Sequence, residues 1–270
     1  MRFIALLVTV CLCNSLFPQV LPTIGQQVRL KTTLQKEGLK GYVVELNQTI
    51  HEPGKDSAGI VKPGKRIDIY TENFTHFYND TGNIEEEIEY KTENVVMFRR
   101  QYEYDALDRP LEESLLDGTD KVLSKYSYKY DMKGNLSERI VYKKNSKWSY
   151  TYDKAGNLTE EKGYTADGKL DSRIGYEYNA NGVITAEITY TPEGKVNIKD
   201  EYTYDNLGNM VQKVHSIGTG ITQTYNYIYQ FDAAGNWIQK TEYKAGKAYR
   251  VYIRKFRYQV TGPAEKAAQK

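Results

Sequence analysis

Ser149-Tyr-Thr-Tyr-Asp-Lys-Ala-Gly-Asn-Leu-Thr-Glu-Glu161 contains a strand end, a tight turn and a strand start. Tyr150 and Tyr152 alternate with Ser149 and Thr151, the period-two pattern of a strand with one buried face. Asp153 is suited to hydrogen-bond the main chain ahead of it, and Gly156 takes a positive φ at no steric cost. Asn157 is expected here because asparagine best tolerates the neighbouring left-handed region among non-glycine residues. A second strand then restarts at the apolar Leu158.

The same device recurs at Tyr78–Glu85, Tyr104–Glu112, Tyr130–Glu138, Tyr178–Ala186, Tyr204–Gln212 and Phe231–Gln239. Its leading aromatics are 26, 26, 22, 26, 26 and 27 residues apart, so seven copies occupy residues 74–260. The predicted turn residues are Asp131, Gly134 and Asn135; Asp153, Gly156 and Asn157; Asp205, Gly208 and Asn209; and Asp232, Gly235 and Asn236. Looser turns such as Asp117-Gly118, Ala166–Lys169 and Ala245–Lys247 close the units. One such unit cannot bury its apolar face alone, so neighbours must stack. The expected fold is all-β: tandem antiparallel β-hairpin repeats forming one continuous twisted, rolled sheet, either an open strip or a partial barrel. Most of the 25 tyrosines then serve as cross-strand packing, at roughly 0.2–1 kcal/mol per aromatic pair.

The Tyr-Asp-x-x-Gly-Asn-Leu pattern at Tyr130–Leu136 and Tyr152–Leu158 resembles the YD repeats of Rhs-type bacterial proteins, teneurins and Tc toxins. In large members the repeats form a strip that winds into a hollow shell around a C-terminal toxin. This chain has no toxin-sized segment after Tyr258, so that role is not carried over. It is more similar to short exported YD-repeat proteins of Bacteroidetes type, with a weaker similarity to MORN-like repeats in its Asp-Gly-Lys-Leu and Glu-Gly-Lys-Val turns.

Residues 1–25, with Arg2 followed by the apolar run Phe3–Leu12, have the proportions of a secretory signal peptide. Both cysteines fall inside it, which leaves a mature chain without disulfides or thiol chemistry and with a net charge of +1. The expected location is outside the cytoplasm: periplasm, outer-membrane surface or secreted. Membrane contact is expected only through the leader or through lipidation of Cys11 or Cys13. Near-neutral charge gives no signal for nucleic acid. Residues 26–73 are expected as diverged N-terminal capping strands, and residues 261–270 as a disordered tail.

The last unit, Lys240–Tyr258, carries seven basic residues against Glu242 alone. Protection of an exposed terminal edge is one reading. An anion- or glycan-binding patch of Lys244, Lys247, Arg250, Arg254 and Arg257 is the other. Glu72–Asp120, by contrast, has fourteen acids and four bases, so head-to-tail association is also expected to be testable. No pattern in the sequence points to a catalytic triad, phosphate loop, dinucleotide fingerprint, metal or cofactor. His51, His76 and His215 are far apart, and Glu138, Glu160 and Gln212 tile with the repeat, as a structural ladder would. The expected function is a non-catalytic scaffold that binds carbohydrate or another protein. The alternative is a toxin-associated or antitoxin-like repeat module.

Overall fold

The computed structural model describes residues 31–142, 146–218 and 220–259. The predicted leader and tail lie outside the described residues. After the single turn of helix α1 (Thr33–Lys36) come β1 (Val43–Lys55), β2 (Val61–Arg66), β3 (Phe74–Tyr78), β4 (Ile84–Thr92), β5 (Val95–Tyr104) and β6 (Pro110–Asp117). Next are β7 (Val122–Tyr130), β8 (Leu136–Val141), β9 (Ser146–Tyr152), β10 (Leu158–Tyr164), β11 (Leu170–Tyr178) and β12 (Ile184–Tyr190). The last are β13 (Val196–Tyr204), β14 (Met210–Ile217), β15 (Ile221–Phe231), β16 (Trp237–Lys244) and β17 (Lys247–Tyr258).

From β3 to β17 each strand pairs antiparallel with the next, as expected of linked hairpins. The sheet is not an open strip. β1 pairs with β17 on one side, from Val43↔Tyr258 to His51↔Val251, and with β3 on the other, from Glu45↔Phe77 to Gln48↔Phe74. Sixteen of the described strands thereby close into a barrel, with β2 extending the far half of β1 as a hairpin. Closure corrects two expectations. Residues 43–51 join the ring along β17, with Glu45–Gln48 also paired to β3, and the basic β17 is not an exposed edge in need of protection. Leu46 and Ile50, both 0% exposed, drive the joint by facing inward beside Phe256 and Tyr252. Leu34, within α1, and Leu39, just after it, pack on the cluster of Val43, Leu46, Tyr78 and Ile84.

The turns show why the repeat has its residue types. Asp153 Oδ1 accepts the Ala155 and Asn157 amides at 2.8 Å, while Gly156 adopts φ +87°. Asn157 is not left-handed. Its side-chain amide instead donates to Asp153 Oδ2 at 2.9 Å, which locks the aspartate in place. Asp131 with Asn135 and Asp205 with Asn209 repeat this geometry, with Gly134 and Gly208 both at φ +85°. In the last copy Asp232 still accepts the Asn236 amide and Gly235 takes φ +86°. There the Asn236 side chain turns to Lys40 and the Tyr258 hydroxyl, so that this turn holds the segment leading into β1.

The tyrosine before the turn Asp or Asn joins successive units. Tyr104, Tyr130 and Tyr178 donate their hydroxyls to the carbonyls of Ile84, Pro110 and Leu158 at 2.5, 2.6 and 2.7 Å, each at the strand start of the preceding repeat. Phe231 has no hydroxyl, and Tyr229, two residues earlier, makes the corresponding bond to the Met210 carbonyl at 2.8 Å. The outer wall carries many polar and charged side chains. Lys125, Lys129, Lys147, Thr151, Glu177, Glu201 and Thr203 alternate with inward residues.

Candidate functional sites in the lumen and at the seam

Strand register sets what the lumen contains. Across successive hairpins it opposes Tyr102 to Glu113, Tyr128 to Arg139, Tyr150 to Glu161, Tyr176 to Glu187, Tyr202 to Lys213 and Tyr227 to Glu242. Each of these six tyrosines therefore faces a charged group across its hairpin. Several also reach back to the preceding carboxylate: Tyr128 donates to Glu113, and Tyr176 donates to Glu161 at 2.8 Å. Burial, with these carboxylates nearby, pushes the phenols well up, so they act as neutral donors.

The wall around β4–β8 is a continuous ionic network. Arg100 Nη1 donates to Glu87 at 2.8 Å and to Glu89 at 2.5 Å, and Arg139 Nη2 donates to Glu113 Oε2 at 2.9 Å. Burial, aided by Glu89 and Glu113 and opposed by Arg100, raises Glu87 to about 7. His76 lies between Glu37 and Glu87 at 3.8 and 3.6 Å, yet burial and the nearby Arg254 and Arg100 lower it to about 3 and keep it neutral. Farther round, burial with Asp200 and Glu161 raises Glu187 to about 7, against the pull of Lys213. His215 pairs with Asp200 at 2.5 Å. These carboxyls are able to hold protons near neutrality. Among the described residues no group of three or more His, Cys, Asp or Glu side chains is placed to hold a metal ion.

The opposite wall, β14–β17, is basic and aromatic. Lys244 Nζ donates to Gln223 at 2.7 Å and lies 5.5 and 5.4 Å from the Tyr225 and Tyr249 ring centroids. Arg250 stacks 4.8 Å from Tyr249, and Arg254 stacks 3.8 Å over Trp237 while donating to Gln48. Lys240 lies 4.1 Å from the Tyr252 centroid. The five basic residues predicted as one patch are therefore split. Lys244, Arg250 and Arg254 share the lumen wall, Lys247 is exposed at the β16–β17 turn, and Arg257 lies on the outer surface paired to Glu45 at 2.8 Å. Alternation along β17 causes the split.

On the outside, closure creates a groove of about 370 Å³ lined by Glu45, Asn47, Thr75, Phe77, Tyr90, Lys255, Phe256 and Arg257. Register lays its outward residues in two rows, Arg257–Glu45–Phe77 and Lys255–Asn47–Thr75. Asn47 Nδ2 donates to Thr75 Oγ1 at 2.9 Å, and Thr75 Oγ1 is 3.2 Å from the Tyr90 hydroxyl. The Asn47 carbonyl oxygen has no partner, and Lys255 has no ion pair, among the described residues. The groove thus offers an aromatic surface, hydroxyl and amide groups, and one uncommitted cation. None of its residues except Arg257 is singled out by the repeat. Glu45 and Asn47 on β1 meet Lys255 and Phe256 on β17 across about two hundred residues of sequence, as Gln48↔Arg254 shows.

Residues 61–173 match the family model described as Teneurin YD-shell. No curated protein matches the chain. Among solved structures, a porin-like protein from Bacteroides uniformis ATCC 8492 is similar at 12% identity and a TM-score of 0.49, covering 80% of this chain and 96% of its own. The complex TcdB2-TccC3-Cdc42 contains a chain similar at 15% identity and a TM-score of 0.34, covering 76% of this chain and 11% of its own.

Proposed function

We propose that this chain is a YD-repeat, Rhs-related module, a reading supported by the match of residues 61–173, and that it is a non-catalytic, exported binding scaffold whose ligand is a carbohydrate held in the seam groove. The observation that carries the reading is the groove at the joint, where one-off residues replace the tiled ones. Phe77 supplies a face for the apolar side of a sugar ring. Asn47, Thr75, Tyr90 and Lys255 supply donors and acceptors for its hydroxyls. A volume of about 370 Å³ lies at the lower end of the range of roughly 300–1,000 Å³ for small-ligand sites.

The test is a glycan array probed with the full chain and with the Phe77→Ala and Lys255→Ala variants. Binding to a defined set of glycans, lost in Phe77→Ala and weakened in Lys255→Ala, is expected. A wild-type chain that captures no glycan, or hits indifferent to both substitutions, refutes the seam as the site.

A further inference from the structure

At the tight-turn end of the barrel, beside the joint, the chain's own residues 32–41 lie as a strap over a buried apolar surface. Leu34 and Leu39 sit on Val43, Leu46, Tyr78 and Ile84, each at most 9% exposed, yet none of residues 31–41 is itself buried. Two of the tight turns hold the main chain of the strap. In the β3–β4 turn the Gly82 carbonyl accepts the Leu34 amide at 3.0 Å and Asn83 Oδ1 accepts the Thr33 amide at 3.2 Å, while Thr33 Oγ1 accepts the Ile84 amide at 3.3 Å. In the β15–β16 turn Asn236 grips both sides of Lys40, accepting its amide and donating to its carbonyl, each at 2.8 Å. Between these anchors the Tyr78 hydroxyl donates to Glu37 Oε2 at 2.9 Å.

The strap is a removable occupant. Bonds to main-chain amides and carbonyls read no side chain, so sequence enters through the two leucines and Glu37. The fit is incomplete: His76 Nδ1 is buried without a hydrogen-bond partner and lies 3.8 Å from Glu37 Oε1, beyond hydrogen-bond reach. Release does not strand Asn236. In turns of the same sequence Asn135, Asn157 and Asn209 give their side-chain amides to the turn aspartate, and Asn236 has Asp232 in the same place to return to. Gly41, at φ +77°, lies between the strap and β1, where the chain can change direction without moving the strand.

We propose that this surface is a peptide-binding site, distinct from the seam groove on the outer wall, and that residues 32–41 are its ligand in cis. The ligand in trans is a segment of a partner protein carrying the same groups: a leucine, a carboxylate three residues on and a second leucine two residues further. Its main chain takes over the bonds to Gly82, Asn83 and Asn236. A tethered occupant has an effective concentration on the order of millimolar. A free segment therefore binds with an apparent affinity reduced to the fraction of molecules whose strap is away.

The experiment is a fluorescence-polarisation titration of the full chain against a labelled synthetic peptide of residues 31–41, with near-ultraviolet circular dichroism to confirm that each variant is folded. The peptide is expected to bind the wild type weakly and to bind Leu34→Ala/Leu39→Ala about tenfold or more tighter, since that strap competes less well. Tyr78→Phe added to the double variant is expected to weaken the peptide at least fivefold, and Lys255→Ala, at the seam, to leave it unchanged. Peptides with alanine in place of Leu34 or Glu37 test the same contacts without touching the fold, and are expected to bind more weakly. A folded double variant that binds no tighter than the wild type, or does not bind, overturns the proposal, as does a scrambled peptide that binds equally well. A wild-type dimer in sedimentation that the peptide dissolves would make a second copy's strap the occupant and overturn the assignment to a partner protein.

Discussion

Replacing Glu187 by Gln is expected to stabilise the protein above neutral pH and to do nothing at pH 4.5. Glu187 faces Tyr176 and Asp200 across its two neighbouring strands, with Glu161 and Lys213 close by and His215 behind Asp200. Its carboxyl is raised from an ordinary 4.5 to about 7, mainly by burial and then by Asp200 and Glu161. A folded pKa above the unfolded one means that the folded chain favours the proton. The associated stability is complete below about 4.5 and is lost as pH rises through about 7. The difference of about 2.5 units corresponds to an upper bound of about 3 kcal/mol, and partial solvent access brings this to about 2 kcal/mol. Glutamine keeps the shape and never carries the charge. Urea unfolding from pH 4.5 to 8 should therefore give stability curves that coincide at the acid end and diverge by about 2 kcal/mol at pH 8, with the variant above. His76 acts in the opposite sense in both proteins, its contribution lost as pH falls from 6.5 toward about 3, so it cancels in the comparison. A difference flat in pH, or a variant less stable at pH 8, refutes the reasoning.

Tyr178→Phe removes the hydroxyl bond to the Leu158 carbonyl and should cost about 0.5–1.5 kcal/mol in the same assay without altering the circular dichroism spectrum. Two glycines separate conformational strain from contact. Gly156→Ala meets no atom within 4 Å but sits at φ +87°, so it should lower stability by about 1–2 kcal/mol and leave tryptophan emission unchanged. Gly163→Ala would place a Cβ 2.9 Å from the Trp148 ring, so its emission should shift; unchanged emission there would show that the ring does not rest on Gly163.

Local chemistry was legible because it repeats. Asp153, Gly156 and Leu158 announce strand, turn and strand, and the structure builds them that way. The role of Asn157 was misread, because backbone tolerance is an intrinsic preference whereas a side-chain bond to Asp153 depends on the folded turn. Closure was not legible. Glu45 and Arg257 carry no mark in the sequence that they meet, and their pairing depends on how the accumulated twist of the intervening strands brings the ends together. The candidate sites inherit this limit. Lys244, Arg250 and Arg254 were identifiable as cations, but that they line the lumen while Arg257 faces outward follows from register along β16 and β17, and Phe77 becomes part of a groove only once β1 lies beside β3.

The placement of β1 has a consequence for how the molecule is made. Its partner β17 leaves the ribosome some two hundred residues later, so β1 must wait, half satisfied, until that strand has been made. Until then the growing sheet carries live edges at both ends, the condition in which β proteins cross-associate. Long-range pairing of this kind forms late, and the twelve residues of β17 behave as a latch.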